Sequence, residues 1–264
     1  MNKFLLLLLT SFLFLLNFNP LQAQWTLGIR SNIGYGVCRD NGLSPITFKG
    51  ARIEPGFDLE FTSPKLPHWH FSASGSIDIG YYEDATPPRL NFSTIAGFGL
   101  FCLEAKRDIR YDSLSRWHFC GGASISNLLW LSNNPKLNNA SMTLSDFVLL
   151  DASLEARFSL SRRWELWSLG KFAPLGTAFR PGFSQIDNYT SDSEGTTNTY
   201  FSTYDWHIIG PCHIATGIGA SFKLNGGNRL SLGYGWDYLT SRKAGPYKLQ
   251  IASHSFLLQL DVRL

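Results

Sequence analysis

The sequence has little net charge and few cysteines, and after its first residues it lacks a long apolar run. A helix that crosses a membrane needs about 18 or more consecutive apolar residues; no stretch beyond Leu16 offers them, which excludes a helical membrane domain. Without residues 1–23 the chain loses Lys3 and no acid, and its 22 basic and 20 acidic side chains give no indication of a nucleic-acid partner. Neither a Pro/Ser-rich linker nor a change of composition divides the remainder, which we interpret as one domain.

The N-terminal segment has the features of a secretory signal peptide. The apolar run FLLLLLTSFLFLL follows Lys3 directly and is too short to span a bilayer comfortably. A small residue, Ala23, then precedes a polar one, as at a signal cleavage site. We therefore predict cleavage after Ala23, which divides the chain into a signal peptide, 1–23, and a mature domain, 24–264.

The mature chain alternates apolar residues with polar or small ones in segments of about 10 to 15 residues, the pattern of strands with one lipid-facing and one lumen-facing side. In the second segment, for example, Ile53 and Phe57 alternate with Arg52, Glu54 and Asp58. Ten such segments predict an all-β fold, a ten-stranded antiparallel transmembrane β-barrel in up-and-down meander order. The predicted strands span about 25–37, 51–62, 68–82, 90–104, 116–130, 146–160, 163–173, 205–224 and 229–240, and the tenth ends at Leu264.

The connections alternate in length, short after strands 2, 6 and 8 and long after strands 1, 5 and 7, as periplasmic turns and external loops do. Asn225-Gly226-Gly227-Asn228 is the clearest hairpin signal. The link near residues 108–115 is longer than this pattern predicts. The longest predicted external loop, about 175–204, contains a run of low hydrophobicity at 187–199, which we expect to be mobile.

Aromatic residues recur at matching positions on the predicted outward face. Tryptophans stand at the starts of strands 1, 3, 5 and 7, which would all lie at one membrane interface, where an indole ring is favoured. This repetition favours a membrane barrel over a secreted β-sandwich. The predicted periplasmic belt comprises Trp25, Trp69, Trp117 and Trp164, and the opposite belt comprises Tyr35, Tyr81 and Trp236.

The last strand alternates apolar residues up to the C terminus, at Phe256, Leu258, Leu260, Val262 and Leu264. This resembles the C-terminal assembly signal of bacterial outer-membrane barrels, although that pattern usually ends in an aromatic residue rather than leucine. The whole mature length also resembles the small outer-membrane barrels common among bacteroidete-type bacteria. The resemblance implies a monomer in the bacterial outer membrane, with membrane lipid, lipopolysaccharide and the barrel assembly machinery as partners.

Charged residues of both signs fall on the predicted lumenal face. Unpaired charges away from bulk water are costly, so we expect these side chains to form ion pairs that fill and stiffen the narrow interior. A wide diffusion pore would need more strands, and no cofactor or metal is expected. The predicted lumenal bases are Arg30, Arg52, Arg157, Lys171, Lys223 and Arg263, and the predicted lumenal acids are Glu54, Asp58, Glu60, Asp78, Asp151, Glu155, Glu165, Asp237 and Asp261.

The cysteines are even in number, which in an exported protein suggests disulfides. Cys102 and Cys120 fall on neighbouring strands, but the predicted strand faces point them in opposite directions. Cys38 and Cys212 fall on strands that are not adjacent. We therefore expect buried free thiols, and the spacing of the cysteines does not suggest a metal site.

One constellation suggests catalysis. In Asp205-Trp206-His207 the spacing puts a carboxylate and an imidazole on one face of a strand, where the acid could orient the histidine as a general base. This resembles omptins, ten-stranded outer-membrane proteases with an Asp-x-His pair on the fourth external loop and an acidic pair on the second. The resemblance implies catalytic roles for Asp205, His207, Glu83 and Asp84. The acids depart from the omptin pattern, because Glu83 and Asp84 are adjacent rather than separated by one residue, with Asp78 below them.

A second candidate pair, His254 and Ser255, is excluded as a dyad because adjacent residues on a strand point to opposite faces. Two classes of function therefore stay open. One is a structural, binding or adhesion role through the external loops; the alternative is an omptin-like outer-membrane endopeptidase. The fold alone does not choose between them.

Overall fold

Ten antiparallel strands close into a barrel in which each strand pairs with its neighbours in the chain and β1 pairs with β10. The ten-stranded meander predicted from the sequence is confirmed. The computed structural model describes residues 24–40, 46–85, 93–110, 116–133, 142–179, 212–241 and 248–264. Within these ranges, no helix has the length and apolarity needed to cross a membrane. The strands are β1 (Gln24–Asp40), β2 (Thr47–Ser63), β3 (Leu66–Asp84), β4 (Ser93–Arg110), β5 (Trp117–Asn133), β6 (Met142–Ser159), β7 (Trp164–Phe179), β8 (Cys212–Lys223), β9 (Arg229–Thr240) and β10 (Leu249–Arg263).

Most strands extend further than the alternation of apolar and polar residues predicted. β2, for instance, begins at Thr47 rather than near residue 51, because its first residues include the lumenal Phe48, which interrupts the expected pattern of polar lumenal residues. For β8 the described residues are Cys212–Lys223, so its predicted start near residue 205 is not tested. Residues 205–211 lie outside the described part of the chain.

The two ends of the barrel differ in their connections. The lower end holds the chain ends of β1 and β10 and the short turns. Between β6 and β7 the Ser161 hydroxyl accepts hydrogen bonds from the backbone N–H groups of Arg163 and Trp164, at 3.3 and 3.1 Å. The hairpin predicted between β8 and β9 is confirmed, with Gly226 and Gly227 at φ values of 80° and 87° that favour glycine. The other end, the upper one, carries the connections around residues 41–45, 86–92, 134–141, 180–211 and 242–247.

The outer face carries two belts of aromatic side chains at the predicted positions. At the lower end Trp25 packs against Phe61, with ring centroids 4.8 Å apart, and Trp69, Trp117 and Trp164 lie on the same outer face. Higher up, Tyr35, Tyr81 and Trp236 lie at a common level. Tyr35 and Tyr81 both pair with Ala51 of β2, and Tyr35 and Trp236 both pair with His254 of β10. Large apolar side chains between the belts are exposed, among them Ile33, Ile77, Ile218, Leu232 and Phe256.

The assignment of Cys102 and Cys120 to opposite faces implied that the even-numbered residues of β4 point outward, and this is wrong. Ala96, Phe98 and Leu100 share a face, but it lines the lumen, while Ile95 and Phe101 point outward and are 58% and 49% exposed. The alternation misled because the lumen is itself apolar at this height, so that both faces of β4 carry apolar residues. Glycines on this strand weaken the pattern further.

Candidate functional site: the barrel lumen

The upper lumen is filled by apolar side chains, which we call the upper apolar layer. Trp130 lies at its centre and is 1% exposed. Its ring centroid is 4.6 Å from that of Phe98 and 6.5 Å from that of Tyr82. Apolar side chains in such close contact leave no room for water between them. The layer comprises Cys38, Ile46, Phe48, Tyr82, Ala96, Phe98, Leu128, Trp130, Phe147, Leu149, Ala173, Leu239, Leu249 and Ile251.

Glycines on the barrel wall make room for two of the lumenal rings. A Cβ at Gly80 would stand 2.3 Å from Cε2 of Tyr82, and a Cβ at Gly219 would stand 2.5 Å from Cζ2 of Trp167. Both distances are far shorter than carbon atoms tolerate, so the rings can lie against the wall only because these positions carry no side chain. The glycines of β3 and β8 thus allow large rings to fill a narrow barrel.

Below the apolar layer, Arg52 forms the first of the lumenal ion pairs. Its guanidinium donates to Asp78 at 3.1 Å and to Glu54 at 2.9 Å. The Ser76 hydroxyl donates to the other oxygen of Glu54 at 2.7 Å. The same guanidinium lies 5.9 Å from the ring centroid of Phe98. Arg52 therefore joins the ion pairs to the apolar layer.

A buried histidine links two acids on the opposite wall. His213 places Nδ1 2.9 Å from Asp151 and Nε2 3.0 Å from Asp237. The Ser126 hydroxyl donates to the second oxygen of Asp151 at 2.7 Å. Since each ring nitrogen faces a carboxylate oxygen, the ring is placed to donate from both nitrogens, an arrangement that suits a structural bridge rather than a general base.

Further down, Glu155 is shared by two cations. It accepts from Lys106 at 2.9 Å and also pairs with Arg157. Lys106 lies 3.4 Å from Glu104, which in turn accepts from Lys171 at 3.2 Å. The sequence did not place Glu104 in the lumen because the faces of β4 were reversed, and it missed Lys106 because the predicted strand ended near residue 104. These two residues connect the ion pairs of β4, β6 and β7.

The lower end of the lumen closes with pairs around Glu165 and Asp261. Glu165 lies 3.6 Å from Arg157 and Lys223 and 3.7 Å from Arg229, and Arg229 donates to Asp261 at 2.8 Å. The predicted pairing with Arg or Lys is thereby confirmed for six of the nine predicted acids, while Glu60, Asp151 and Asp237 each face a histidine. Five of the six predicted bases are paired, and Arg263 is exposed at the lower end. Of the other predicted residues, Arg30 pairs with Asp58, Glu60 lies 3.3 Å from His70, and Lys171 pairs with Glu104, which was not predicted.

A cavity of about 250 Å³ remains between the apolar layer and the lower ion pairs. Its wall includes Arg30, Phe98, Trp167, Lys171 and Asp237. Small-molecule sites occupy about 300 to 1,000 Å³, so the cavity is small for a ligand and suited to ordered water among charged groups.

The residues singled out for catalysis divide between the two faces and the part of the chain that is not described. Glu83 is exposed on the outer face, whereas Asp84 is buried and faces the lumen. Asp205 and His207 lie outside the described residues, so their catalytic roles stay a prediction. Asp78, below Asp84, is held by Arg52.

The prediction that His254 and Ser255 point to opposite faces is confirmed. The His254 ring is on the outer face, with its centroid 6.2 Å from that of Tyr35 and 6.1 Å from that of Tyr234. Ser255 points into the lumen, where it lines the central cavity. The two residues therefore do not form a dyad.

All four cysteines are buried and free, as predicted. The reasoning for Cys102 and Cys120 was nevertheless wrong, because both face the lumen. They do not meet because Cys102 pairs with Ser126 across β4 and β5, whereas Cys120 pairs with Asp108, six residues further along β4.

A group of five residues, which we call the rim cluster, lies inside the barrel at its lower end. Asp108 on β4 stands between His68 and His70 on β3 and His118 and Cys120 on β5. Its Oδ1 is 3.1 Å from His70 Nε2, 2.9 Å from His118 Nε2 and 3.4 Å from Cys120 Sγ. Imidazole, thiolate and carboxylate are the ligand types of zinc. Two sequence signals could have found the cluster, His-x-His and His-x-Cys, since residues two apart share a face of a strand.

Neither a protein-family model nor a curated protein sequence matches the chain. Solved structures of similar fold include the outer membrane protease OmpT from Escherichia coli, at 9% sequence identity and a TM-score of 0.47, with 92% of this chain and 96% of that chain covered. The transport unit of the autotransporter AIDA-I from Escherichia coli follows at 12% identity and a TM-score of 0.46, with 94% and 92% covered. The translocator domain of the autotransporter NalP from Neisseria meningitidis has 10% identity and a TM-score of 0.43, with 97% and 93% covered. At this level of similarity no activity is transferred to the chain.

Proposed function

We propose that the mature chain is an integral barrel of a bacterial outer membrane, with a closed lumen and a structural, binding or adhesion role carried by its external loops. The observation that carries this proposal is the exposed apolar belt. Many large apolar side chains are more than a third exposed, and they alternate with buried lumenal residues on every strand. A protein surrounded by water does not present an apolar surface that encircles the molecule.

The height of the belt supports a bilayer as its surroundings. On β1, ten residues separate Trp25 in the lower aromatic belt from Tyr35 in the upper one, about 33 Å of extended chain. At a strand tilt of about 40° this covers about 25 Å along the barrel axis, the height of the apolar band of outer-membrane barrels. Aromatic residues at both borders suit the two membrane interfaces.

The lumen supports a closed barrel rather than a diffusion pore. The upper apolar layer fills the interior among the described residues, and the charges beneath it are paired with one another. A pore for hydrophilic solutes would instead need a water-filled path lined by polar groups. Specific recognition of other molecules by this barrel would therefore depend on the upper connections. Residues 180–211 form the longest of these connections.

The proposed partners follow from the same surfaces. Outer-membrane lipid and lipopolysaccharide would contact the exposed belt. The barrel assembly machinery would recognise β10, whose Phe256, Leu258, Leu260 and Leu264 are exposed on the outer face. Closure of β1 on β10 leaves no unpaired sheet edge, which supports a monomer.

Two epitope insertions test location and orientation together. A tag placed within residues 187–199 should be detected by antibody on intact cells, whereas the same tag in the Asn225–Asn228 turn should be detected only after the outer membrane is permeabilised. Both variants should fractionate with the outer membrane. A mature chain recovered as a detergent-independent soluble monomer, or equal labelling of the two tags on intact cells, would contradict the proposal.

An omptin-like endopeptidase is the second candidate. The observation in its favour is that Asp84 is buried facing the lumen near the upper end, the side on which the Asp205-Trp206-His207 segment joins the barrel. Glu83 points outward, so Asp84 is the acid that could act with His207 across a bound water. Wild-type protein refolded with lipopolysaccharide should then cleave peptides, and His207→Ala should lower the rate at least about 100-fold, as loss of a general base does. Absence of cleavage, or equal cleavage by the variant, would remove this candidate.

A further inference from the structure

We propose that Asp108, His70, His118 and Cys120 of the rim cluster bind a zinc ion at the lower rim of the barrel. This inference departs from the expectation of no metal drawn from the sequence. It rests on side chains of three adjacent strands that converge on one carboxylate oxygen. None of the four belongs to the Arg52, His213 or Glu165 pairs that fill the lumen.

The donor atoms of Asp108, His118 and Cys120 lie at distances close to those of a tetrahedral ion. With metal bonds of about 2.0 to 2.3 Å, neighbouring donors of a tetrahedral zinc site stand about 3.3 to 3.6 Å apart. Here Asp108 Oδ1 lies 3.1 Å from His70 Nε2, 2.9 Å from His118 Nε2 and 3.4 Å from Cys120 Sγ. Cys120 Sγ lies 3.8 Å from His118 Nε2. The donor atoms of Asp108, His118 and Cys120 all lie within 4.8 Å of one another. His70 approaches this group through Asp108, so its ring has to turn toward the other two donors to complete the coordination.

The surroundings of His70 resemble the outer shell of a zinc site. Its Nδ1 lies 3.3 Å from the Glu60 carboxylate and 3.3 Å from the Thr62 hydroxyl. A ligating histidine usually donates its other ring N–H to such a group, which fixes the tautomer and the orientation of the ring. Glu60 thus directs His70 to present Nε2 to the ion.

The charge and access of the site also favour a cation. The nearby Lys106 and Arg157 both pair with Glu155, so the groups at Asp108 are imidazoles and a thiol rather than ammonium or guanidinium groups. A cavity of about 70 Å³ borders His70, His118 and Cys120 and offers room for an entering ion. Three neutral or weakly acidic donors around one buried carboxylate match the preference of zinc for nitrogen and sulfur ligands.

A bound ion would tie together three strands where their pairing is irregular. The register of β4 with β5 shifts between Asp108 and Arg110, next to the connection at 111–115. A ligand that binds only the folded chain stabilises it by an amount that grows with the logarithm of the ligand concentration relative to the dissociation constant. The ion would therefore hold β3, β4 and β5 in place at the end of the barrel where the hydrogen-bond ladder is interrupted.

Cobalt(II) in place of zinc gives a direct test, because a thiolate ligand produces a charge-transfer band. The untagged mature chain, folded in detergent under reducing conditions, should bind one Co²⁺ with this band and release it when Zn²⁺ is added. Cys120→Ser should lose the band. The matched control Cys102→Ser, which changes another buried lumenal cysteine, should retain it.

Zinc titrations test the remaining donors. His118→Ala should weaken zinc binding at least about 10-fold, and Glu60→Gln should weaken it about 10- to 100-fold, as changes to outer-shell partners of a metal do. The control His254→Ala, on the outer face, should bind as wild type does. Folding of each variant is checked by its heat-dependent mobility in detergent gels. The proposal is overturned if the folded wild-type chain binds no stoichiometric Co²⁺ or Zn²⁺, or if Cys120→Ser and Cys102→Ser give the same band.

Discussion

The upper and lower halves of the lumen are closed by different chemistry. Above, Trp130 and Phe147 lie among apolar neighbours and are almost completely buried. Below, charged side chains meet at 2.8 to 3.7 Å, and several are partly open to solvent, such as Lys223 at 49%. Burial of a large apolar side chain contributes about 1.5 to 3 kcal/mol, whereas a buried ion pair adds little net stability but is costly to break.

The upper half of the lumen therefore governs permeability, and the lower half governs the specificity of the fold. The apolar layer excludes water through packing, so any hole in it should admit water and ions. Ion pairs between strands fix the positions of those strands relative to one another, as Glu104 on β4 does with Lys171 on β7. Changes in the two halves should therefore differ in kind as well as in size.

The largest effect is expected from Trp130→Ala. Removal of a buried Trp leaves a cavity in the apolar layer and should lower the free energy of unfolding by about 3 to 5 kcal/mol. Urea unfolding of barrels folded into lipid vesicles measures the change. The matched control is Trp117→Ala on the outer face, where the side chain is half exposed; an equal cost at both positions would contradict the role of the upper layer.

Glu155→Leu tests the lower half. The change removes the acid that Lys106 and Arg157 share and leaves them only the longer contacts with Glu104 and Glu165, at 3.4 and 3.6 Å. Loss of one partner from a buried ion pair costs about 3 to 5 kcal/mol. We expect the lower figure, about 3 kcal/mol, because both cations are partly exposed and water can reach them. The companion variant Glu155→Gln keeps the shape and isolates the charge. Stability equal to wild type in both variants would show that these pairs are dispensable.

Two substitutions on the outer face compare the lipid-facing surface with the lumen. Leu258→Arg, near the middle of β10, should cost about 2 to 3 kcal/mol in vesicles, since arginine near the bilayer midplane is unfavourable. Leu264→Arg, at the lower end of the same outer face, should cost about 1 kcal/mol or less. The two values come from the same unfolding titration. A surface that met only water would give two small and equal values.

The smallest effect is expected at the lower opening. Lys223 is 49% exposed and 3.6 Å from Glu165, whose other partners are Arg157 and Arg229. Lys223→Ala should change the stability by about 0.5 kcal/mol or less, as for other exposed pairs. A loss of several kcal/mol, measured by the same method, would mean that the lower mouth is closed to water.

The fold was predictable where the two faces of a strand differ in polarity. On β2 the sequence separates Ile53 and Phe57 from Arg52 and Asp58, and the structure puts the first pair outward and the second inward. The aromatic belts were also predictable, because the membrane interface favours aromatic residues. The number of strands followed from counting these segments.

The interior was harder to predict because polarity ceases to mark the lumen near the upper end. On β4 the lumenal Phe98 is as apolar as the outward Phe101, and the wrong choice of face hid Glu104. Lys106 and Asp108 lie beyond the predicted end of this strand near residue 104. The rim cluster was missed because its central carboxylate was placed in the connection after the strand. Contacts between strands distant in sequence, such as His213 with Asp151, depend on the register around the whole barrel. The residue pattern of a single strand does not specify that register.

Conductance across planar lipid bilayers tests the central claim, that the chain forms a membrane barrel closed by its upper apolar layer. Wild-type protein should insert and show no large, steady conductance, because the lumen of ten strands is filled by side chains. The double variant Trp130→Ala and Phe147→Ala should insert equally well and conduct measurably more, whereas Glu155→Gln should leave the conductance low. Steady, porin-sized channels from the wild-type protein would contradict the account.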